Sequence, residues 1–356
     1  MRRNIQPQQI SLFDTVKNRG GTERERERES RMRTCHIFNN IISVENLLNA
    51  WREFLRGKRK RKDVAIFSLN LTDNIINLHN ELLQKSYQHG DYQAFKINDP
   101  KSRDIHKASV RDRLVHHAIY RILYPYFDPK FIFDSYSCRF NKGTHRAMDR
   151  LRKYCLKLSN NNTKTVWVLK CDIRKFFASI DHAVLIKILE KHLKDSDVIW
   201  LLQKIISSFH TKDKMGIGLP LGNLTSQLLV NIYMNEFDQF IKRNLKAKNY
   251  IRYADDFLIL HNNKTHLENL LPKISEFLDI ELRLKLHPKK VSISTLASGV
   301  DYLGWVHFSN HRVLRTATKK RIIKKLNKNS SPETRASYLG LLSHGDTYNL
   351  NRRLFD

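Results

Sequence analysis

The feature that most constrains this chain is the run YIRYADDFLILH, Tyr250 to His261, in which two adjacent acids interrupt a stretch of β-formers. Ile251 lies on one side of Asp255 and Asp256, and Leu258, Ile259 and Leu260 on the other. Turns favour aspartate, but none needs two carboxylates flanked by apolar residues. The pattern predicts a β-hairpin with its turn at the aspartates. A second apolar run, VWVLKCDI, follows the polar spacer SNNNTKT and ends at Asp172. Two buried strands ending in carboxylates could place three acids together. Such a cluster repels itself unless a cation neutralises it.

Hard oxygen ligands suit Mg²⁺, which usually also takes substrate phosphates as ligands. Two such ions, about 3.5–4 Å apart, can clamp the attacking and leaving oxygens of an in-line phosphoryl transfer. Charge points the same way. The 64 Lys and Arg outnumber the 35 Asp and Glu, a net +29 spread along the whole chain. That excess repels itself in a compact state, so a polyanionic partner tracked along a basic channel is expected. A polyanion and a metal site together imply nucleotide addition.

Other classes are excluded or disfavoured. No apolar run approaches the roughly 18–20 residues that span a bilayer. The N-terminal residues lack the apolar core of a signal peptide, so a cytoplasmic protein without a membrane partner is expected. Cys35, Cys138, Cys155 and Cys171 form no CxxC pair and lie near no His at zinc spacing, so they read as reduced packing thiols.

Residues 1–34 read as a charged, flexible tail, with Gly20-Gly21 and the run ERERERES. Leu47, Leu48, Trp51, Phe54 and Leu55 recur at helical spacing behind a Ser43 N-cap, and a second helix is expected over Thr72–Gln84. QAFKINDPKSRDIHKAS reads as short strands around a turn, and a helical VRDRLVHHAIYRILYPYF follows. Beyond Asp172, a helical pattern runs from His182 to about Ser208, then a glycine-rich loop GIGLPLGN and a strong helix. A helix over Thr265–Leu278, strands near Leu282–Leu286 and Val291–Ser294, a hairpin near Tyr302–Phe308 and a basic helical end complete the chain. The interleaving indicates an α+β or mixed α/β core.

With these residues on the page, the chain resembles reverse transcriptases from about Val44 to Leu354. CDIRKFFASIDH resembles the first palm motif of that family. The resemblance implies Asp172 as a metal ligand, with Ile173 beside it, and Phe177 as the gate against a ribose 2′-hydroxyl. YADDF resembles the central motif, implying Asp255 and Asp256 as ligands and placing Tyr253 near template or primer. GLPLGNLTSQLLVNIYMNEFD resembles the loop and helix that cradle the nascent base pair, through Leu221, Gly222, Asn223 and Gln227. In LKLHPKKVSI, Lys290 or Lys289 could protonate pyrophosphate. DYLGW resembles the hairpin that grips the primer, with Leu303, Gly304 and Trp305. KSRDIHKASVRDRL resembles the fingers strand and turn, whose Lys101, Arg103, Arg111 and Arg113 could hold triphosphate or template.

The implied fold is a right-handed polymerase: fingers over 35–165, a palm of antiparallel sheet plus helices over 166–308, and a short helical thumb over 309–356. Two Mg²⁺ ions (Mn²⁺ could substitute), an RNA template, a DNA or RNA primer and dNTPs are the implied cofactors and partners. No endonuclease motif, zinc module or RNase H pattern is visible.

The SQ that ends the cradle loop, SYSCRFNKGTH and SYLGLLSHGDTYNL together resemble prokaryotic diversity-generating retroelement enzymes, which implies a small basic accessory protein. A defence-associated enzyme, an intron-encoded enzyme reduced to its polymerase core and an RNA-binding protein without catalysis are the rival readings. Leu221 stands where many bacterial relatives carry an amide; it either lowers fidelity or simply packs. Gln9, Leu12 and Phe13, in QISLF, resemble the peptide that docks on the DNA polymerase sliding clamp.

Overall fold

A computed structural model describes residues 36–98, 102–328 and 331–355. Cys35, Lys101 and the clamp-like peptide at residues 9–13 lie outside them. The chain opens with four helices, α1 (Ile37–Ile42), α2 (Val44–Phe54), α3 (Lys62–Leu69) and α4 (Leu71–Leu83). Ser43 caps α2 as its sequence suggests, its hydroxyl accepting from the Asn46 N–H. A hairpin, β1 (Gln93–Ile97) and β2 (Arg103–Lys107), leads into the long α5 (Val110–Phe127), against which α1 and α2 pack.

Next come α6 (Thr144–Leu158), β3 (Trp167–Asp172), α7 (His182–His192), α8 (Ser196–Ser207) and α9 (Leu224–Gln239). Then follow β4 (Tyr250–Tyr253), β5 (Asp256–His261), α10 (Lys264–Ile280) and β6 (Ser292–Thr295). Strands β4, β5, β3 and β6 lie side by side in that order, every pair antiparallel. Both faces of this sheet are covered, which is why β5 reads as a continuous apolar run and not an alternating one. Phe257 and Ile259 join the core built with α9 and α10, whereas Leu258 and Leu260 pack with Leu151 and Tyr154 of α6.

Three short strands, β7 (Val300–Tyr302), β8 (Trp305–His307) and β9 (Arg312–Leu314), form a separate antiparallel meander. The last helices, α11 (Thr316–Lys328), α12 (Pro332–Leu342) and α13 (Tyr348–Phe355), pack a small core of Ile322, Leu326 and Leu342 around Trp305, Leu314 and Met148. Among the described residues no helix is long and apolar enough to cross a membrane.

Several expectations need correction. The helical pattern from His182 to Ser208 is carried by two helices, separated at Leu193–Asp195. Asp195 caps α8 there, accepting from the Asp197 and Val198 amides, and also accepts from the Phe38 N–H at 2.9 Å. With the Phe38–Trp200 edge contact, this fastens α8 to the N-terminal helices. Leu282–Leu286 forms no strand: Arg283 takes φ +48°, and only Leu286 bridges, to Ile173. The hairpin near Tyr302 gains a third strand. Cys155 and Cys171 are buried thiols, as expected, but Cys138 is exposed. Tyr124, Phe127 and Phe131 are core residues.

Candidate active site

The sheet register brings the aspartates together. Asp172, the last residue of β3, lies directly opposite Asp256, the first of β5. Tyr253 pairs with Asp256 across a two-residue turn, Ala254-Asp255. Ala254 takes φ +55°, a conformation that favours glycine, so the turn holds local strain of the kind found at functional sites. The Ile173 amide donates to the Asp255 carbonyl at 3.2 Å, closing the gap between the turn and β3.

Like charges opposite one another on adjacent strands are destabilising, and the local electrostatics show it. Burial first, then the charges of Asp172, Asp255 and Asp301, push the Asp256 carboxyl up to about 7 against the pull of Lys170. Asp256 Oδ1 is buried with no hydrogen-bond partner. Burial and then Asp172 raise Asp255, while Lys290 and Arg103 oppose the rise. Lys290 lies on Asp172, Nζ to Oδ1 at 2.9 Å, as the local counterion.

Hard carboxylates in mutual repulsion, with an orphaned oxygen, suit a divalent cation. No three acidic, imidazole or thiol side chains among the described residues converge into a ready three-ligand cage. That still fits Mg²⁺, which keeps several waters and takes phosphate oxygens as ligands.

Phe177 is half-buried in the turn after β3, edge-on to buried Phe176, and its carbonyl accepts from the Leu219 amide at 2.8 Å. The cradle loop is fastened to β2: His106 N–H donates to the Leu221 carbonyl at 3.0 Å, and the Asn223 amide donates to the His106 carbonyl at 3.2 Å. Gly222, at φ +106°, passes so close to β2 that a Cβ there would meet Ile105 at 2.9 Å. Gln227 lies half-buried in the first turn of α9.

Arg103 is near enough to act on Asp255. Arg111 is instead paired with Glu81 and stacked on Tyr87, and Arg113 is paired with Asp63 at 2.7 Å. Leu303 and Gly304, both at positive φ, form the two-residue turn between β7 and β8. The Trp305 ring is a correction to a surface role: it is 2% exposed and seated on Gly345, where a Cβ would overlap it.

One residue at the site, Arg252, escaped the sequence reading. Arg252, immediately before Tyr253, is fully buried and ion-paired to Asp238 of α9. Its Nη1 also donates to the Ala254 carbonyl at 3.1 Å, and its Nη2 to Ser135 at 3.0 Å. An arginine inside an otherwise apolar strand was the available signal, since arginine is almost never fully buried unless paired.

Comparison with known proteins decides the family. Residues 96–307 match the family described as reverse transcriptase (RNA-dependent DNA polymerase). The chain belongs to the reverse transcriptase family. It is 28% identical over 285 residues to protein YkfC of Escherichia coli, covering 68% of this chain and 71% of that protein. It is 25% identical over 208 residues to the group II intron-encoded protein LtrA of Lactococcus lactis, covering 56% of this chain. The chain spans 34% of LtrA's length. Among solved structures, apo telomerase from Candida tropicalis, truncated from its C-terminal domain, aligns with a TM-score of 0.50 at 12% identity. That alignment covers 65% of this chain and 55% of the telomerase chain. The likeness is one of fold, the right-handed polymerase. As a member of its family this reverse transcriptase is an RNA-directed DNA polymerase, a class that works with divalent metal ions.

Proposed function

We propose that this reverse transcriptase copies an RNA template into DNA from a DNA or RNA primer, with Asp172, Asp255 and Asp256, and Ile173 through its backbone, holding two Mg²⁺ ions. The observation that carries the reading is the register of Asp172 opposite Asp256, with Asp255 in the adjoining turn. Bound there, two divalent ions supply Lewis acidity to the primer 3′-hydroxyl and to the departing pyrophosphate. The chain's own residues do the rest. Lys290, already at Asp172, is placed to give a proton to the pyrophosphate. Arg103 meets triphosphate charge, and the Phe177 ring fills the space a 2′-hydroxyl would need. Leu221, Gly222, Gln227 and Tyr253 line the nascent pair, and the Leu303-Gly304 turn meets the primer. The assignment of fingers to 35–165, palm to 166–308 and thumb to 309–356 belongs to the same reading.

Primer extension with dNTPs and Mg²⁺ tests it. Asp255→Asn should remove incorporation while leaving RNA binding largely intact, because a lost ligand costs several kcal/mol at the transition state. Wild-type extension by that variant would overturn the metal assignment.

For the biological setting we favour a diversity-generating retroelement of low fidelity, with a small basic accessory protein. Likeness to LtrA supports an intron-encoded setting as the second reading. Sequencing RNA that co-purifies with the protein separates them: repeat-derived template RNA supports the first and intron RNA the second, whereas neither would favour a defence role. Docking of Gln9, Leu12 and Phe13 on a sliding clamp is tested by titrating a fluorescent peptide of residues 4–18 with the clamp. Equal binding by the Leu12→Ala, Phe13→Ala peptide would end that idea.

A further inference from the structure

Asp256 Oδ1 and the Tyr302 hydroxyl are both buried without a hydrogen-bond partner among the described residues. Asp256 opens β5 and Tyr302 ends β7. A native fold leaves few such groups, and each calls for an explanation. Within the polymerase reading, on which this inference rests, we propose that the Tyr302 hydroxyl donates to Asp256 Oδ1 in the metal-loaded enzyme and so aims the other carboxylate oxygen at the cation. Tyr302 is then a positioning residue, acting on the metal through Asp256.

Strand alternation puts the two groups on the same side of the sheet. Asp256, Leu258 and Leu260 share one face of β5, and Val168, Lys170 and Asp172 the matching face of β3. Val168, Leu258, Leu260 and Tyr302 pack in one core cluster. The Lys170 Nζ donates to the Asp301 carbonyl, which fastens the residue beside Tyr302 to that face. Electrostatics agrees: burial and then the Asp256 charge, ahead of Tyr136 and Tyr253, raise Tyr302 well above the ordinary tyrosine range. The hydroxyl therefore keeps its proton and can donate. No hydrogen bond joins the two atoms in this structure, so forming one requires side-chain rotation.

Comparison with equally enclosed tyrosines isolates Tyr302. Tyr87 donates to Asp112 at 2.8 Å, Tyr233 to the Leu282 carbonyl at 2.7 Å and Tyr250 to Asp238 at 2.7 Å. Tyr302, fully buried like them, has no acceptor among the described residues. An enclosed hydroxyl without an acceptor costs stability, and a phenylalanine would fill the same apolar site without that cost. The cations nearby are engaged elsewhere: Lys170 with the Asp301 carbonyl and Lys290 with Asp172. Carboxylates that ligate metals are themselves held by outer hydrogen bonds, whose loss weakens metal binding by roughly 10- to 100-fold.

The test compares the full chain with Tyr302→Phe, Asp256→Ala and the double variant. Mn²⁺ alone is titrated, without nucleic acid or nucleotide, and binding is read from its electron paramagnetic resonance signal. Tyr302→Phe should weaken Mn²⁺ binding about tenfold, while its urea denaturation midpoint stays at or above that of the parent. In the Asp256→Ala background the same change should have no further effect. Equal Mn²⁺ affinity in the parent and Tyr302→Phe would overturn the proposal. So would equal weakening in both backgrounds, or a midpoint that falls along with affinity, which would make the hydroxyl a structural group. In primer extension, Tyr302→Phe should lower kcat and leave dNTP KM nearly unchanged. Extension by the parent is scored separately. Its failure would count against the polymerase reading, while the comparison of Mn²⁺ binding between parent and variant decides the role of the hydroxyl.

Discussion

The Arg252 guanidinium is held at two points by Asp238: Nε donates to Oδ1 at 2.7 Å and Nη2 to Oδ2 at 2.6 Å, with neither side chain more than 1% exposed. The Tyr250 hydroxyl donates to the same Oδ1 at 2.7 Å. The pair links α9, which follows the cradle loop, to β4, which delivers Asp255. Through Ala254 it also fixes the strained turn from behind.

Removing one partner strands the other charge in the core. Asp238→Ala should therefore cost about 3–5 kcal/mol of stability, read as a lowered denaturation midpoint in urea. Residual folded protein should extend primers more slowly, with dNTP KM less affected than kcat, because the turn loses its brace and not its ligands. A variant as stable as the parent would show that Arg252 finds another counterion.

Phe177→Ala and Phe177→Val should admit ribonucleotides. The half-buried ring lies in the turn after β3, five residues beyond Asp172, and as the gate it would leave room for a 2′-hydroxyl once removed. The measurement is kcat/KM for dNTP over that for rNTP in each protein. An unchanged ratio would make Phe177 a packing residue.

Acid should destabilise the fold through its buried histidines. Burial lowers His116 to about 3, and His117 and His307 to about 4. Below the ordinary histidine value the unfolded chain binds protons that the folded one refuses. Stability is thus greatest above pH 6.5 and is lost as pH falls toward 4. Each of His117 and His307 costs on the order of 2 kcal/mol at pH 5. Melting temperatures between pH 7.5 and 4.5 should fall, and less steeply in His307→Phe. Parallel curves would remove His307 from the account.

RNA binding should weaken steeply with salt. With 64 Lys and Arg against 35 acids, many phosphate contacts displace counterions. A plot of log K against log salt that is nearly flat would refute a phosphate-lined channel.

What the sequence reveals and what it hides follow from the range of each interaction. The β4–β5 hairpin and the cap at Ser43 depend on neighbours a few residues away, so local pattern foretells them. The pairing of Asp172 with Asp256 spans 84 positions, yet two apolar runs that both end in acid announce it. Trp305 shows the opposite case. Aromatic residues beside a turn read as surface, and only Gly345, 40 residues on, reveals that the ring is enclosed. The break at Asp195 stayed hidden because apolar periodicity continues across it, while the capping carboxylate also serves Phe38 in a distant helix.

The seam between β2 and the cradle loop has a mechanical meaning. With His106 bonded to Leu221 and Asn223, and no Cβ at Gly222 to hold the backbones apart, hairpin and loop are laced together like two links of a chain drawn tight. Any displacement of the hairpin would therefore be felt at the start of α9. Stiffness at that seam rests in part on a missing methyl group.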